Sequence, residues 1–237
     1  MKKYSGIKHQ LDYFLDLFFP VCCAGCDRPL VRGEKWICSF CRYSLPLTDF
    51  HKDPQNEGVR LLGGQVPLET VLSYLYFEDD SSVQQMVHHF KYLGLWELGK
   101  SFGREYGTLL KMYDHKCLSA DLIVPVPIQL AKLRRRGYNQ SAIFGEGLAE
   151  AMNIPIEPHA LIKDPKIKTQ VGKGRVERFE NLSNAILPNE SKPVIEGKYI
   201  LLVDDVLTSG ATIVASANAL LQGGATKIGV VTLARKH

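Results

Sequence analysis

Thirteen residues near the end of the chain, Ile200 to Thr212, limit its possible folds more than any other stretch. The run Ile200-Leu-Leu-Val203 is apolar on both sides, which suits a strand inside a parallel sheet covered on both faces. It ends on two adjacent carboxylates, Asp204 and Asp205. A loop carrying Thr208, Ser209, Gly210 and Thr212 follows, and helical spacing begins at about residue 211. In open α/β sheets ligands bind beyond the carboxyl ends of the strands. A helix N-terminus placed there offers unpaired N–H groups and a positive dipole end to a phosphate. Gly210 permits close approach of the backbone, and the hydroxyls add donors. Carboxylates repel a phosphate but accept hydrogen bonds from a sugar diol, so a phosphorylated ribose satisfies both halves of the segment. No Gly-x-Gly-x-x-Gly follows a strand.

The 237 residues are 45% hydrophobic and 23% charged with a net charge of +4, an ordinary globular composition. The spacing predicts strands over Val71–Phe77, Leu122–Val124, 156–162, Tyr199–Val203 and Lys227–Leu233. It predicts helices through Val83–Phe90, with a capping box at Ser82 and Gln85, through Leu95–Leu109, and over 139–152 and 211–222. That alternation predicts an α/β domain over residues 67–237 with a mostly parallel sheet. A Pro-containing basic loop, with Lys132, Arg134, Arg135 and Arg136, follows the strand at 122–124. A polar stretch over 163–181 holds Lys163, Lys166, Lys168, Lys173, Arg175 and Arg178. Such basic runs are either solvated faces or anion sites. Residues 51–66 are polar and Gly-rich, and a linker is expected there. Ile7, Leu11, Phe14, Leu15 and Phe18 predict an amphipathic helix over 5–19. Asp12 and Asp16 argue against a signal peptide, and no apolar run reaches the length of about 18 residues that a membrane span needs.

Five of the six cysteines lie within twenty residues. Cys23-x2-Cys26 and Cys38-x2-Cys41, eleven residues apart, can supply the four corners of a closed, structural tetrahedral site. Zinc is the expected ion, with iron or four free thiols as alternatives. Cys22 can replace Cys23 at a less usual spacing. Clustered thiols without a secretion signal point to a reducing cytoplasm. The expected N-terminal unit is therefore residues 1–50, a helix followed by a zinc-ribbon-like module.

Residues 200–212 resemble the 5-phosphoribosyl 1-pyrophosphate (PRPP) signature of type I phosphoribosyltransferases. The resemblance implies that Asp204 and Asp205 hold the ribose hydroxyls. It gives the 5′-phosphate to Leu207, Thr208, Ser209, Gly210, Ala211 and Thr212. Val126, Pro127 and Ile128, with Arg135 nearby, would line the pyrophosphate site. A flexible catalytic loop would fall at 163–181, with Lys168 and Arg175 as its catalytic cations, and Mg2+ would arrive with PRPP. Nearly the whole chain is similar to the ComF-type competence family. That similarity rests on Phe-Pro-x-x-Cys-x-x-Cys at 19–26, Cys-x-x-Cys at 38–41 and Val-Pro-Val-Pro…Arg-Arg-Arg-Gly-Tyr-Asn-Gln at 124–140. Thr-Gln…Arg-x-x-Arg-x-x-Asn at 169–181 and the Asp-Asp loop complete it. Lys173 stands where the family commonly has an apolar residue. The resemblance implies a role in natural transformation, as a PRPP-dependent transferase with an unassigned acceptor. Two rivals stay open: a non-catalytic factor that binds single-stranded DNA or a competence helicase, and a nucleobase-salvage enzyme. The last has no need of a zinc module.

Overall fold

In the first half of Tyr199–Leu207 (β5) side chains alternate between two cores, and the fold follows from that alternation. Tyr199, Leu201 and Val203 enter one apolar cluster, whereas Ile200 and Leu202 enter the other. The computed structural model describes residues 20–163, 186–192 and 194–236. The helix expected over 5–19, and the polar stretch beyond Lys163 with Lys168 and Arg175, lie outside the described residues.

In chain order the strands are Thr70–Phe77 (β1), Leu122–Pro125 (β2), Leu161–Lys163 (β3), Ile186–Pro188 (β4), β5 and Lys227–Lys236 (β6). The helices are Ser39–Tyr43 (α1), Glu57–Leu62 (α2), Ser82–Tyr92 (α3), Trp96–Met112 (α4), Leu130–Arg136 (α5), Gln140–Met152 (α6) and Ala211–Gln222 (α7). The main sheet has the order β1-β6-β5-β2 and is parallel throughout. Helices α3, α4 and α6 cover one face, and α7 with the β3–β4 pair covers the other. This is the two-faced α/β sheet that the hydrophobic runs predict.

Several boundaries differ from expectation. β5 does not stop at Val203: Asp204 and Val206 stay in register with Thr232 and Ala234 of β6, so the acid pair lies within the paired strand. The strand expected over 156–162 shrinks to Leu161–Lys163, because Pro158 cannot donate to a ladder. Only an isolated bridge joins Ile156 to Ile123. The basic loop after β2 contains a helix, α5, none of whose side chains is buried. A helix without an apolar stripe leaves no periodicity to read. The cap of α3 sits one residue earlier than the spacing predicts: Ser81 Oγ accepts from the Gln84 amide, and Gln84 Oε1 accepts from the Asp80 amide. Within 51–66, the stretch expected to be a linker, α2 buries Leu62 in the sheet core.

The cysteine-bearing segment is continuous with the larger core. Cys23, Ala24, Ile37, Cys38 and Cys41 share one apolar cluster with Leu72, Met86 and Phe90. The chain then runs along the free edge of β1, where the Thr48 amide donates to Tyr74 O and the Tyr76 amide to Pro46 O. Among the described residues no helix is long and apolar enough to cross a membrane.

Candidate functional site

Parallel strands bring their carboxyl ends to one rim, and a cleft of about 510 Å³ crosses that rim above all four strands. β5 supplies its floor, because Asp204 and Asp205 fall where the strand reaches the rim. Ser141, in the first turn of α6, donates its hydroxyl to Asp204 Oδ1 at 2.8 Å. The Asp205 amide donates to the same oxygen at 2.8 Å. Lys91 Nζ, from the last turn of α3, lies 2.8 Å from Asp205 Oδ2 in a largely buried ion pair. Burial, reinforced by the Asp205 carboxylate, pushes the Asp204 carboxyl up to about 7, although Ser141, the Asp205 amide and Lys91 oppose the rise.

Beside the acids, Thr208 to Ile213 enclose a small recess over the start of α7. Gly210 caps this helix at φ 78°, a conformation that other residues rarely adopt. A Cβ there would also strike Leu62 of α2. Leu207 turns its side chain into the core, so only its backbone is available to a ligand. Thr208 and Ser209 are exposed, and Thr208 and Thr212 line both the cleft and the recess.

Val126, Pro127 and Ile128, after β2, form the opposite wall. Asn139 fixes that turn: its Nδ2 donates to Val126 O at 3.0 Å, and its Oδ1 caps α6 by accepting from the Ser141 amide. The Arg-Gly-Tyr-Asn-Gln run therefore acts as a unit. Gly137 ends α5 with φ 83°, and Tyr138 donates its hydroxyl to Phe90 O. Arg136 donates to Gln140 Oε1 at 2.8 Å and to Tyr92 Oη at 3.0 Å. The Arg136 Nε is buried and has no hydrogen-bond partner among the described residues. Lys132, Arg136 and Lys163 line the cleft. Burial, with Lys132 nearby, lowers the Lys163 ammonium pKa, and Asp204 opposes that effect. Arg135 stands apart from the cleft walls, with its guanidinium 5.6 Å from the centre of the Tyr92 ring. The chain beyond Lys163 leaves from this site, and it returns at Ile186, the β-partner of Lys163.

Sequence reasoning missed Lys91, Tyr92 and Ser141. Ser141 directly follows the Tyr-Asn-Gln motif, and that adjacency was a usable signal. Lys91 belongs to a helix whose apolar face alone was legible.

The second constellation lies in the N-terminal segment, where the sulfurs of Cys23, Cys26, Cys38 and Cys41 are all within 4.8 Å of one another. The Cys26 and Cys38 sulfurs are 3.8 Å apart, close to the edge of about 3.8 Å that a tetrahedron with 2.3 Å metal–sulfur bonds requires. Amides of Gly25 and Cys38 donate to Cys23 Sγ, and the Cys41 amide donates to Cys38 Sγ. Backbone and guanidinium of Arg28 hold the Cys26 thiol down at about 6, whereas burial raises Cys23 and Cys41. Four thiol donors in this arrangement fit a closed metal site. Cys22 is outside it, exposed and donating to Pro20 O. Cys117 is buried alone, its thiol pushed up to about 12 by that burial.

Residues 141–237 match the family model described as "Phosphoribosyl transferase domain". With the parallel sheet and its flanking helices, that match makes the larger unit a type I phosphoribosyltransferase fold. Competence protein F of Haemophilus influenzae is 24% identical over 220 residues, covering 90% of each chain. DNA utilization protein YhgH of Escherichia coli is 27% identical over 238 residues, covering 92% of this chain and 99% of the relative. Competence protein ComFC of Bacillus subtilis is 27% identical over 215 residues, covering 90% and 83%. Over most of its length the chain is thus similar to ComF-type competence proteins, with a phosphoribosyltransferase-like domain preceded by a four-cysteine cluster.

Proposed function

We propose that the cleft binds PRPP together with Mg2+ and that the protein transfers the phosphoribosyl group to an acceptor in the cytoplasmic handling of incoming DNA. One observation carries this reading: an acid pair on the cleft floor separates a helix-N-terminal recess from a wall bearing cations. The ribose diol would donate to Asp204 and Asp205, and the 5′-phosphate would take the amides from Thr208 to Thr212. The turn Val126–Ile128 and the cations Lys132, Arg136 and Lys163 would receive the pyrophosphate. The buried, unpartnered Nε of Arg136 suits that role, since such donors are rare unless a ligand completes them. When the C1–oxygen bond breaks, its electron pair leaves on pyrophosphate and positive charge builds on the ribose. The cations stabilise the first charge and the acids the second. Mg2+, carried by the pyrophosphate, would neutralise the leaving group further. Lys168 and Arg175 would join from the segment that departs at Lys163. The role in competence follows from the names of the two competence-protein relatives.

Titration calorimetry with PRPP and Mg2+ tests the site. The parent protein is expected to bind, and Asp204→Asn and Asp205→Asn to weaken binding at least about tenfold, as losing charge-assisted hydrogen bonds implies. Absence of heat with the parent protein would reject the reading.

The cysteine cluster would hold Zn2+ in a structural role, with no open position for chemistry. Elemental analysis is expected to return one zinc per chain; iron or no metal would contradict this.

A second reading, that the same rim grips single-stranded DNA, has one specific support. Tyr92 is 49% exposed, with the Arg136 guanidinium 4.8 Å from its ring centre and the His88 ring at 5.0 Å. Aromatic rings interleaved with cations suit unstacked bases. Salt-dependent binding that falls in Tyr92→Ala and in Lys132→Ala would support it, and affinity that survives both changes would exclude this rim.

A further inference from the structure

Helix α3 touches both constellations with different turns. In its first half, Gln85 Nε2 donates to Asp27 Oδ2, just past the Cys23–Cys26 pair, at 2.5 Å. Met86, 1% exposed, packs so closely on the cysteine segment that a Cβ added to Gly25 would collide with it. In its last turn, Lys91 pairs with Asp205 and Tyr92 accepts from Arg136. Phe90 O is held by Tyr138. Met86 and Lys91 are five residues apart, about 7.5 Å along the axis at 1.5 Å per residue, so less than two rigid turns join the two contacts.

We infer that the cysteine module is a positioning element for the cleft: by docking on Gln85 and Met86 it sets the placement of α3, and through it the Lys91–Asp205 pair. This extends the PRPP reading, which makes Asp205 a ligand of the ribose. A displacement of α3 would shift the backbone that carries Lys91 and weaken its hold on Asp205, which loosens the floor of the site. Misplacements of about 1 Å can cost about two orders of magnitude where geometry is demanding. Asp27, Gln85 and Met86 line no part of the cleft and act on it only through α3; they are positioning residues. The four-cysteine cluster then has a reason to sit on this domain, because it fixes the loop that docks.

A charge-reversal cycle tests the inference. Gln85→Glu places two carboxylates face to face across the contact. Adding Asp27→Asn restores a donor–acceptor pair with the roles exchanged. The first readout is the rate at which an amine-selective acylating reagent modifies Lys91, with Lys192, which lines no part of the cleft, as internal reference. The second is calorimetric affinity for PRPP with Mg2+. Gln85→Glu is expected to raise Lys91 labelling about three- to tenfold, the factor a lost hydrogen bond supplies. It is expected to weaken PRPP binding by a similar factor, and the double variant to restore both. A role confined to stability would shift the melting temperature and leave Lys91 labelling in the folded protein unchanged. Unchanged labelling in Gln85→Glu, or failure of the double variant to reverse it, would overturn the inference. If the parent protein binds no PRPP, the reading of the cleft fails, while the labelling result still decides the coupling.

Discussion

Asp204 bears the electrostatic strain of the cleft. Desolvation and the neighbouring Asp205 carboxylate push its carboxyl up from the ordinary 3.8 to about 7. The folded protein therefore holds a proton that an unfolded chain would release, and ionising Asp204 costs folding stability. The penalty is absent below about pH 4, grows as pH rises, and is complete above about 7. Asp204→Asn is thus expected to raise the melting temperature at pH 8 by several degrees and to leave it unchanged near pH 4. An equal gain at both pH values would refute the assignment. PRPP affinity should move oppositely, falling as pH drops below about 7 and Asp204 loses its second acceptor oxygen. Gly210 offers a complementary probe. Gly210→Ala must hold a non-glycine residue at φ 78° and press against Leu62. We expect a loss of at least about 1 kcal/mol by denaturant titration, together with weakened PRPP binding. The acid pair and the glycine were legible in the sequence because their functions are local. Lys91 and Ser141 were not, since each meets its partner across the fold, Ser141 from 63 residues away.

Among the elements, legibility tracked burial. α4 and α7 carry wide apolar faces, and the spacing that predicts them agrees with Trp96–Met112 and Ala211–Gln222. α5 buries nothing and was invisible, and α2, hidden in a Gly-rich stretch, is anchored largely by Leu62. The sequence makes β5 too short because Asp204 and Asp205 look like the start of a loop. Pairing with β6 carries the strand beyond them and so gives the acids a rigid footing. A cap displaced by one residue has a testable consequence. Ser81→Ala should cost about 1 kcal/mol of stability, and Ser82→Ala much less, in denaturant titrations. A larger cost at Ser82 would contradict the cap seen at α3.

Across the whole molecule, the cysteine segment and the sheet domain share one apolar cluster rather than two. A separate module would melt on its own. Here scanning calorimetry is expected to show a single transition, and Cys41→Ser to lower it while removing the bound metal. A resolved early transition lost in Cys41→Ser would contradict the shared core. The family resemblance was legible at this scale because its motifs are spread along the chain, from Cys23 to Thr212. Their convergence was not legible, since only the fold shows that α3 lies between the cysteine cluster and the cleft.

The proposed function depends on a phosphorylated ribose lying between the acid pair and the start of α7. Electron density from crystals soaked with PRPP and Mg2+ tests it most directly. The expected density shows a 5′-phosphate against the amides of 208–212, with both ribose hydroxyls donating to Asp204 and Asp205. A cleft that stays empty at saturating ligand, or a ligand that turns its ribose away from the acids, would contradict it.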